Sequence, residues 1–372
     1  MSLETTEALV ASSNVYTWEP PNRVIAARYG LDPADILRFD TNTSPAVLSY
    51  LPDALEGPWD PPLHEYPDST YAELAEAAAA YVGAEPLEIL VGCGADEVLD
   101  IIAKTHLAPG QRSVIPVPTY SMYAVLSGQR EAEVVSVPRR PDHRLDVEAV
   151  ITALPGAGVV WLCAPNNPTG TPESREDLLS ILDAAAALPD GGPAVVVDEA
   201  YIEFHGTSLV DLRERYRALI VVRTMSKAFA MTGLRVGYCV ASRAAIERLE
   251  RVRPPGSLNT LSAKAAARAL RAPEVAAANA AALAEEREWL AARLAEAGLP
   301  PTPSVTNFLL CHIGSPAEAD GLNEALLRGG IVVRTFGPRS PLAGHLRFTV
   351  RNREQNERFL SIIEAWSAGR SA

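Results

Sequence analysis

The sequence predicts an α/β fold: a large domain built on a mostly parallel sheet, then a smaller α+β C-terminal domain. Short runs of Val, Ile and Leu without polar alternation recur between residues 88 and 240, as strands covered on both faces require. Helix-length stretches separate these runs, and such alternation is the pattern of a parallel sheet joined by crossovers. The rhythm breaks at Arg253-Pro254-Pro255-Gly256, beyond which alanine-rich stretches take over. These limits divide the chain into an arm with a short helix at 1–39, a large domain at 40–252 and a small domain at 253–372.

In the arm, residues 22–29 read as a helix ended by Gly30, and 36–39 as a short strand. The proline-rich reach at 51–62 cannot hold regular structure and is a loop. Thr70-Tyr71-Ala72-Glu73 has capping-box spacing and opens a helix that runs to a stop at Gly83. Strands are expected at 88–91, 113–117, 133–137, 159–163, 194–197, 219–224 and 236–240. Helices are expected between them at 95–106, 120–127, 147–154 and 174–188. Past the break, Leu261, Leu270, Leu283 and Leu290 space apolar anchors through packed helices over 262–298. Strands at 305–310, 331–335 and 346–350 and a helix from about Arg353 complete the small domain.

With 372 residues, 48% hydrophobic and 21% charged, the chain buries a large core. Its net charge of −13 argues against a nucleic-acid or anionic-membrane partner, which most of the surface would repel. It shows neither a basic stretch leading into an apolar leader nor a run of 18 apolar residues, so the expected location is the cytoplasm, with no membrane partner. Cys93, Cys163, Cys239 and Cys311 lie far apart, mostly in apolar strands, and read as buried thiols rather than a disulfide framework. The six histidines lack ligand spacing, and no metal is expected.

Chemistry centres on Val222-Arg223-Thr224-Met225-Ser226-Lys227, followed by Arg235. The chain has three lysines, Lys104, Lys227 and Lys264, against thirty arginines. A lone lysine among hydroxyls after an apolar run suits work that a guanidinium cannot do, since lysine can lose its proton and form a Schiff base; a solvated surface lysine in a loop is the other reading. Asp198 ends the apolar run at 194–197, at the carboxyl end of a strand, where open α/β sheets place ligands. A helix N-cap explains that aspartate equally well. Asn166-Asn167-Pro168-Thr169-Gly170 follows another such strand and is also what any tight turn uses. Gly92-Cys93-Gly94-Ala95-Asp96-Glu97 joins a strand to a helix, offering free N–H groups to a phosphate. A dinucleotide fingerprint fails there because Glu97 stands where Gly or Ala is needed. Tyr120 reads either as a core aromatic or as a ring-stacking residue, and Arg347, between apolar neighbours, either faces solvent or wants an anion.

These segments, together with Pro118-Thr119-Tyr120, Asp198-Glu199-Ala200-Tyr201 and Leu346-Arg347-Phe348, taken in this order, resemble the class I/II aminotransferases, nearest the histidinol-phosphate aminotransferase branch. The resemblance runs from about Asp40 to the C-terminal helix. It implies the fold-type-I architecture, pyridoxal 5'-phosphate as cofactor, and Lys227 as the catalytic lysine that carries it. By the same resemblance Asp198 partners the cofactor's ring nitrogen, Asn167 and Tyr201 its phenolate oxygen, and Tyr120 its ring face. Ala95, Asp96, Thr224, Ser226 and Arg235 take its phosphate, with Tyr66 reaching across from the second chain of a homodimer that shares its sites. Arg347 takes the substrate's carboxylate, Arg334 its phosphate, Tyr16 closes over it, and Asn42 lies against it. The expected reaction moves an amino group from histidinol phosphate or an aromatic amino acid to a 2-oxo acid such as 2-oxoglutarate, in amino-acid biosynthesis. The branch commonly carries glutamate where Thr43 stands and glycine where Arg351 stands, which leaves the donor open. The alternatives are a decarboxylase or oxidase on the same fold, and a non-catalytic ligand-sensing module.

Overall fold

Successive side chains of an extended strand go to opposite faces, and in β5 (Ala157–Cys163) both faces are dry. In the computed structural model, which describes residues 19–46, 56 and 59–371, Val160 and Leu162 enter one core cluster while Val159, Trp161 and Cys163 enter another. The same division holds for β6 (Ala194–Asp198) and β7 (Leu219–Thr224): Val195, Val197, Leu219 and Val221 face one way, Val196, Ile220 and Val222 the other. This is why the sequence reads as unbroken apolar runs.

The other strands of this seven-stranded sheet are β2 (Ile89–Gly92), β3 (Arg112–Val117), β4 (Glu133–Pro138) and β8 (Gly237–Ala241), in the order β2-β8-β7-β6-β5-β3-β4. All neighbours are parallel except β8, which runs antiparallel to both β2 and β7. The chain leaves β3 outward to β4, then crosses back to β5 on the other side of β3, so the direction of winding reverses between β3 and β5. Ligands of such sheets bind outside the carboxyl ends of the strands at that reversal.

Two local readings of the helices change. The helix at Ala72–Val82 is not capped by Thr70, whose hydroxyl donates to Asp68 instead (2.8 Å). The Asp68 carboxylate takes the orphan amides of Thr70 (2.9 Å) and Ala72 (3.0 Å), because a charged acceptor outcompetes a hydroxyl for them. Leu261, expected as a buried anchor, is 37% exposed. In its helix, Thr260–Leu270, the buried residues include Ala265, Ala266, Ala267 and Ala269, which share a cluster with Ala75, Ala77, Ala78 and Ala79. Alanine here permits close helix packing.

The helix Pro273–Glu296 enters two cores: Ala276 and Ala280 join the cluster of the large sheet, whereas Leu283, Leu290 and Leu294 join a second cluster further along. That second cluster covers β9 (Phe308–His312) and β12 (His345–Thr349), antiparallel neighbours in a three-stranded sheet completed by β11 (Arg334–Thr335). The run expected as one strand at 331–335 divides between two sheets. β10 (Ile331–Val332) pairs in parallel with β1 (Leu37–Arg38), carrying the beginning of the described chain into the C-terminal unit. Among the described residues, no helix is long and apolar enough to cross a membrane.

Candidate active site

A cavity of about 460 Å³ opens where β5, β6 and β7 end and the helix Gly94–His106 begins. Its walls include Lys227, Ala95, Asp96, Tyr120, Asn167, Asp198, Tyr201, Thr224, Ser226, Arg235, Asn42, Arg334 and Arg347, so the structure gathers these sequence-selected residues in one place. Tyr66 is not among them: its side chain is 91% exposed. Tyr16 lies outside the described residues.

Lys227 follows β7 and lines the cavity half-buried, its Nζ donating to the Thr41 carbonyl (3.3 Å) and standing 5.7 Å from the centre of the Tyr201 ring. Burial and the neighbouring Arg347 and Arg235 push its ammonium pKa down to about 8, while Asp96 and Asp198 oppose the shift. A neutral amine is therefore accessible near neutral pH.

Asp198, the last residue of β6, is buried. Burial pushes its carboxyl up to about 6, against hydrogen bonds from the Tyr123 hydroxyl (2.6 Å) and the Ala200 amide (3.1 Å). Among the described residues it has no ion-pair partner, so a buried carboxylate here calls for a cation from a ligand. The Tyr201 hydroxyl accepts from Asn42 Nδ2 (3.0 Å), and burial drives its pKa upward, keeping it a neutral donor.

The opposite end of the cavity is built for an oxyanion. The first turn of Gly94–His106 presents free amides, Thr224 and Ser226 present hydroxyls 3.1 Å apart, and Arg235 supplies fixed charge. Two glycines make this cradle possible. Gly94 has φ 81°, and a Cβ there would stand 2.6 Å from Arg235 Nη2; a Cβ on Gly237 would collide with the Ala95 amide. Asp96 is held by Arg235 (3.2 Å) and Tyr120 (2.8 Å). Phosphate donors at one end, a buried carboxylate awaiting a cation at the other and an amine beside them fit pyridoxal phosphate.

Above the amine sit two arginines. Arg347 and Arg334 are register partners across β12 and β11. Arg347 donates to Asn167 Oδ1 (2.6 Å) and to the Asp40 carbonyl, and its guanidinium lies 5.3 Å from the Phe308 ring centre. Arg334 stands 3.9 Å from the Glu19 carboxylate.

Sequence reasoning missed Asp40, Thr41, Thr232, Ala200 and Cys163 as wall residues, and Tyr123 as the support of Asp198. Tyr123 is the second residue of the short helix Met122–Gln129 and carries no motif of its own; its buried ring stacks on Trp161 at 5.4 Å. Cys163 is buried, as expected of a core thiol, yet it also reaches the cavity wall. Cys93, also expected to be buried, is only partly so. Thr43 and Arg351 touch: Arg351 Nη1 donates to the Thr43 hydroxyl and carbonyl, each at 3.2 Å.

The sequence profile of the family described as aminotransferase class I and II matches residues 35–363. A histidinol-phosphate aminotransferase of Roseiflexus castenholzii is 35% identical over 365 residues, spanning 95% of this chain and 96% of that protein. One from Thermococcus gammatolerans is 35% identical over 353 residues, spanning 94% and 96%. The crystal structure of the Sinorhizobium meliloti histidinol-phosphate aminotransferase in complex with pyridoxal-5'-phosphate shares the fold, with a TM-score of 0.85 over 97% of both chains at 24% identity. The L-threonine-O-3-phosphate decarboxylase of Porphyromonas gingivalis shares it too, with a TM-score of 0.77 at 24% identity over 89% of this chain and 99% of that one. With that fold, that cavity and a profile match over most of its length, the chain belongs to the class I and II aminotransferases, enzymes that use pyridoxal phosphate to move an amino group.

Proposed function

We propose that this aminotransferase takes its amino group from histidinol phosphate and passes it to 2-oxoglutarate. The observation that carries the reading is the pairing of Arg334 with Arg347 over the Lys227 amine, alongside the names of the two relatives. Both substrates must use one cavity, and both present an oxyanion at a distance from the reacting carbon. Arg347, fixed by Asn167, is placed to take an α-carboxylate, while Arg334 takes the donor's phosphate or the acceptor's distal carboxylate.

Pyridoxal phosphate, when bound, supplies the electron sink that makes the substrate's Cα proton removable. Ala95, Asp96, Thr224, Ser226 and Arg235 would hold its phosphate, and Asp198 its ring nitrogen; Asn167 and Tyr201 would donate to its phenolate oxygen and Tyr120 would lie on its ring. Lys227 then takes the Cα proton as its neutral amine and returns it one position away. The decarboxylase relationship is a likeness of fold alone.

A panel of donors tests the substrate. Arg334→Ala is expected to raise KM for histidinol phosphate at least about tenfold and to spare phenylalanine, since one charge-assisted contact is worth about 1.5–3 kcal/mol and about 1.4 kcal/mol is tenfold. An equal rise for both makes Arg334 scaffold. No turnover of histidinol phosphate, or CO₂ release without need of a 2-oxo acid, ends the reading.

We further infer a homodimer. Leu63 and Tyr66 are 54% and 91% exposed, beside the half-open Val252 and Leu261, on segments tied together by Arg253 to the Ser69 carbonyl (2.8 Å) and by Lys264 over the Trp59 ring. A second copy covering this face would bring Tyr66 toward the partner's cavity. Mixing Tyr66→Phe and Lys227→Ala subunits tests it: shared sites leave one intact site per heterodimer, whereas self-contained sites leave both damaged.

A further inference from the structure

The segment from Asp40 to Ser44 forms the wall that receives the Lys227 amine, and side chains from elsewhere hold it residue by residue. Arg38 grips the Asp40 carboxylate through two bonds (2.9 and 2.6 Å). Thr349 Oγ1 accepts the Asn42 amide (2.9 Å), Asn307 donates to the Asn42 carbonyl (3.0 Å), and Asn279 bonds Ser44 (2.9 Å). Along the extended chain at the end of β12, Arg347, Thr349 and Arg351 alternate onto one face, and all three meet this segment.

Arg351 is the costly member of that row. It sits two residues before the helix Arg353–Ser371, at the end where the helix dipole disfavours a cation. Its side chain is half-buried, and among the described residues it has no carboxylate partner. Burial alone pushes its pKa down. Its Nε donates to Gln355 (3.0 Å), a neutral contact, and its Nη1 is spent on Thr43. The Thr43 hydroxyl is in turn 3.2 Å from that of Thr41, whose carbonyl accepts from Lys227.

We propose that Arg351 is a positioning residue for Lys227, fixing Thr43 and through it the Thr41 carbonyl that receives the lysine's amine. The inference rests on Lys227 as the reacting amine. The groups facing that amine are Arg347, Arg235, Asp96, Asp198 and the Tyr201 ring. A carbonyl acceptor favours the ammonium, so releasing Thr41 moves the amine's titration to lower pH.

With three lysines in the chain, labelling of Lys227 by an amine-directed reagent can be followed by mass spectrometry in the cofactor-free protein as pH is varied. Arg351→Gln is expected to move the half-point of labelling downward, and to lower kcat of the holoenzyme about tenfold with KM little changed, a loss of positioning rather than of binding. Thr43→Val should do the same to a smaller degree, and adding it to Arg351→Gln should cause no further fall. Two effects that multiply, a change in KM alone, or an unmoved labelling curve overturn the proposal. Lys227→Ala, run alongside, separates the two claims. If it keeps turnover, the reading of the lysine goes; if it loses turnover while Arg351 and Thr43 act independently, only the positioning role goes.

Discussion

Lys227→Ala is expected to lower turnover at least about 10³-fold, the upper part of the range for loss of a general base, while the protein still folds. Removing the side chain forfeits one 3.3 Å hydrogen bond to the Thr41 carbonyl and relieves a partly desolvated ammonium, so thermal stability should hold or rise. Neither of the other two lysines can stand in. Lys104 pairs with Asp100 on a helix surface (2.6 Å) and Lys264 lies over Trp59 (4.6 Å); neither lines the cavity. Borohydride reduction followed by digestion should leave cofactor mass on the Lys227 peptide of the wild type and on no peptide of the variant. A variant that turns over normally, or carries the mass elsewhere, removes Lys227 from the chemistry.

Asp198→Asn is expected to bind cofactor and react about 10²- to 10³-fold more slowly, because breaking a buried charge pair from one side costs about 3–5 kcal/mol. The cofactor-free protein should respond the other way. The folded carboxyl titrates near 6, above its ordinary value of 3.8, so the native state binds more protons than the unfolded one between those values. Stability from this group therefore falls as pH rises through that window and stays low above it. At pH 8 the neutral asparagine removes that cost, and the melting temperature of the cofactor-free variant should equal or exceed the wild type's. A lower melting temperature with normal turnover would make Asp198 a structural residue held by Tyr123 and the Ala200 amide.

The parallel core was readable because burial on both faces leaves an unmistakable composition: Val195-Val196-Val197 and Leu219-Ile220-Val221-Val222 have no polar face to hide. The antiparallel course of β8 was not readable, since its buried residues look like those of any central strand. Motif residues on the carboxyl ends of strands announced themselves through position, and the structure brings Asp198, Asn167 and Thr224 to one cavity. Thr41 and Tyr123 could not announce themselves. One contributes a backbone carbonyl that any residue type could supply, and the other a hydroxyl 75 residues away from the carboxylate it supports. The Thr70 cap failed for a related reason, because Asp68 just outside the motif was the better acceptor.

The β1–β10 pairing and the bonds from Asn42 to Asn307 and Thr349 join chain separated by 265 and 307 residues. On a ribosome moving at about 5–20 residues per second, the stretch around Phe39 waits roughly 15–60 s for its partners to be made. In the finished protein Phe39 is fully buried, stacked on Phe359 at 5.1 Å. A nascent chain must carry that unhoused segment, with the Phe39 ring and open backbone edges, until almost all of the protein has been translated, which leaves it open to aggregation in the meantime. Slowed elongation past the codons for the large sheet should therefore show as aggregation of full-length product, well before it shows as any loss of specific activity in the molecules that fold.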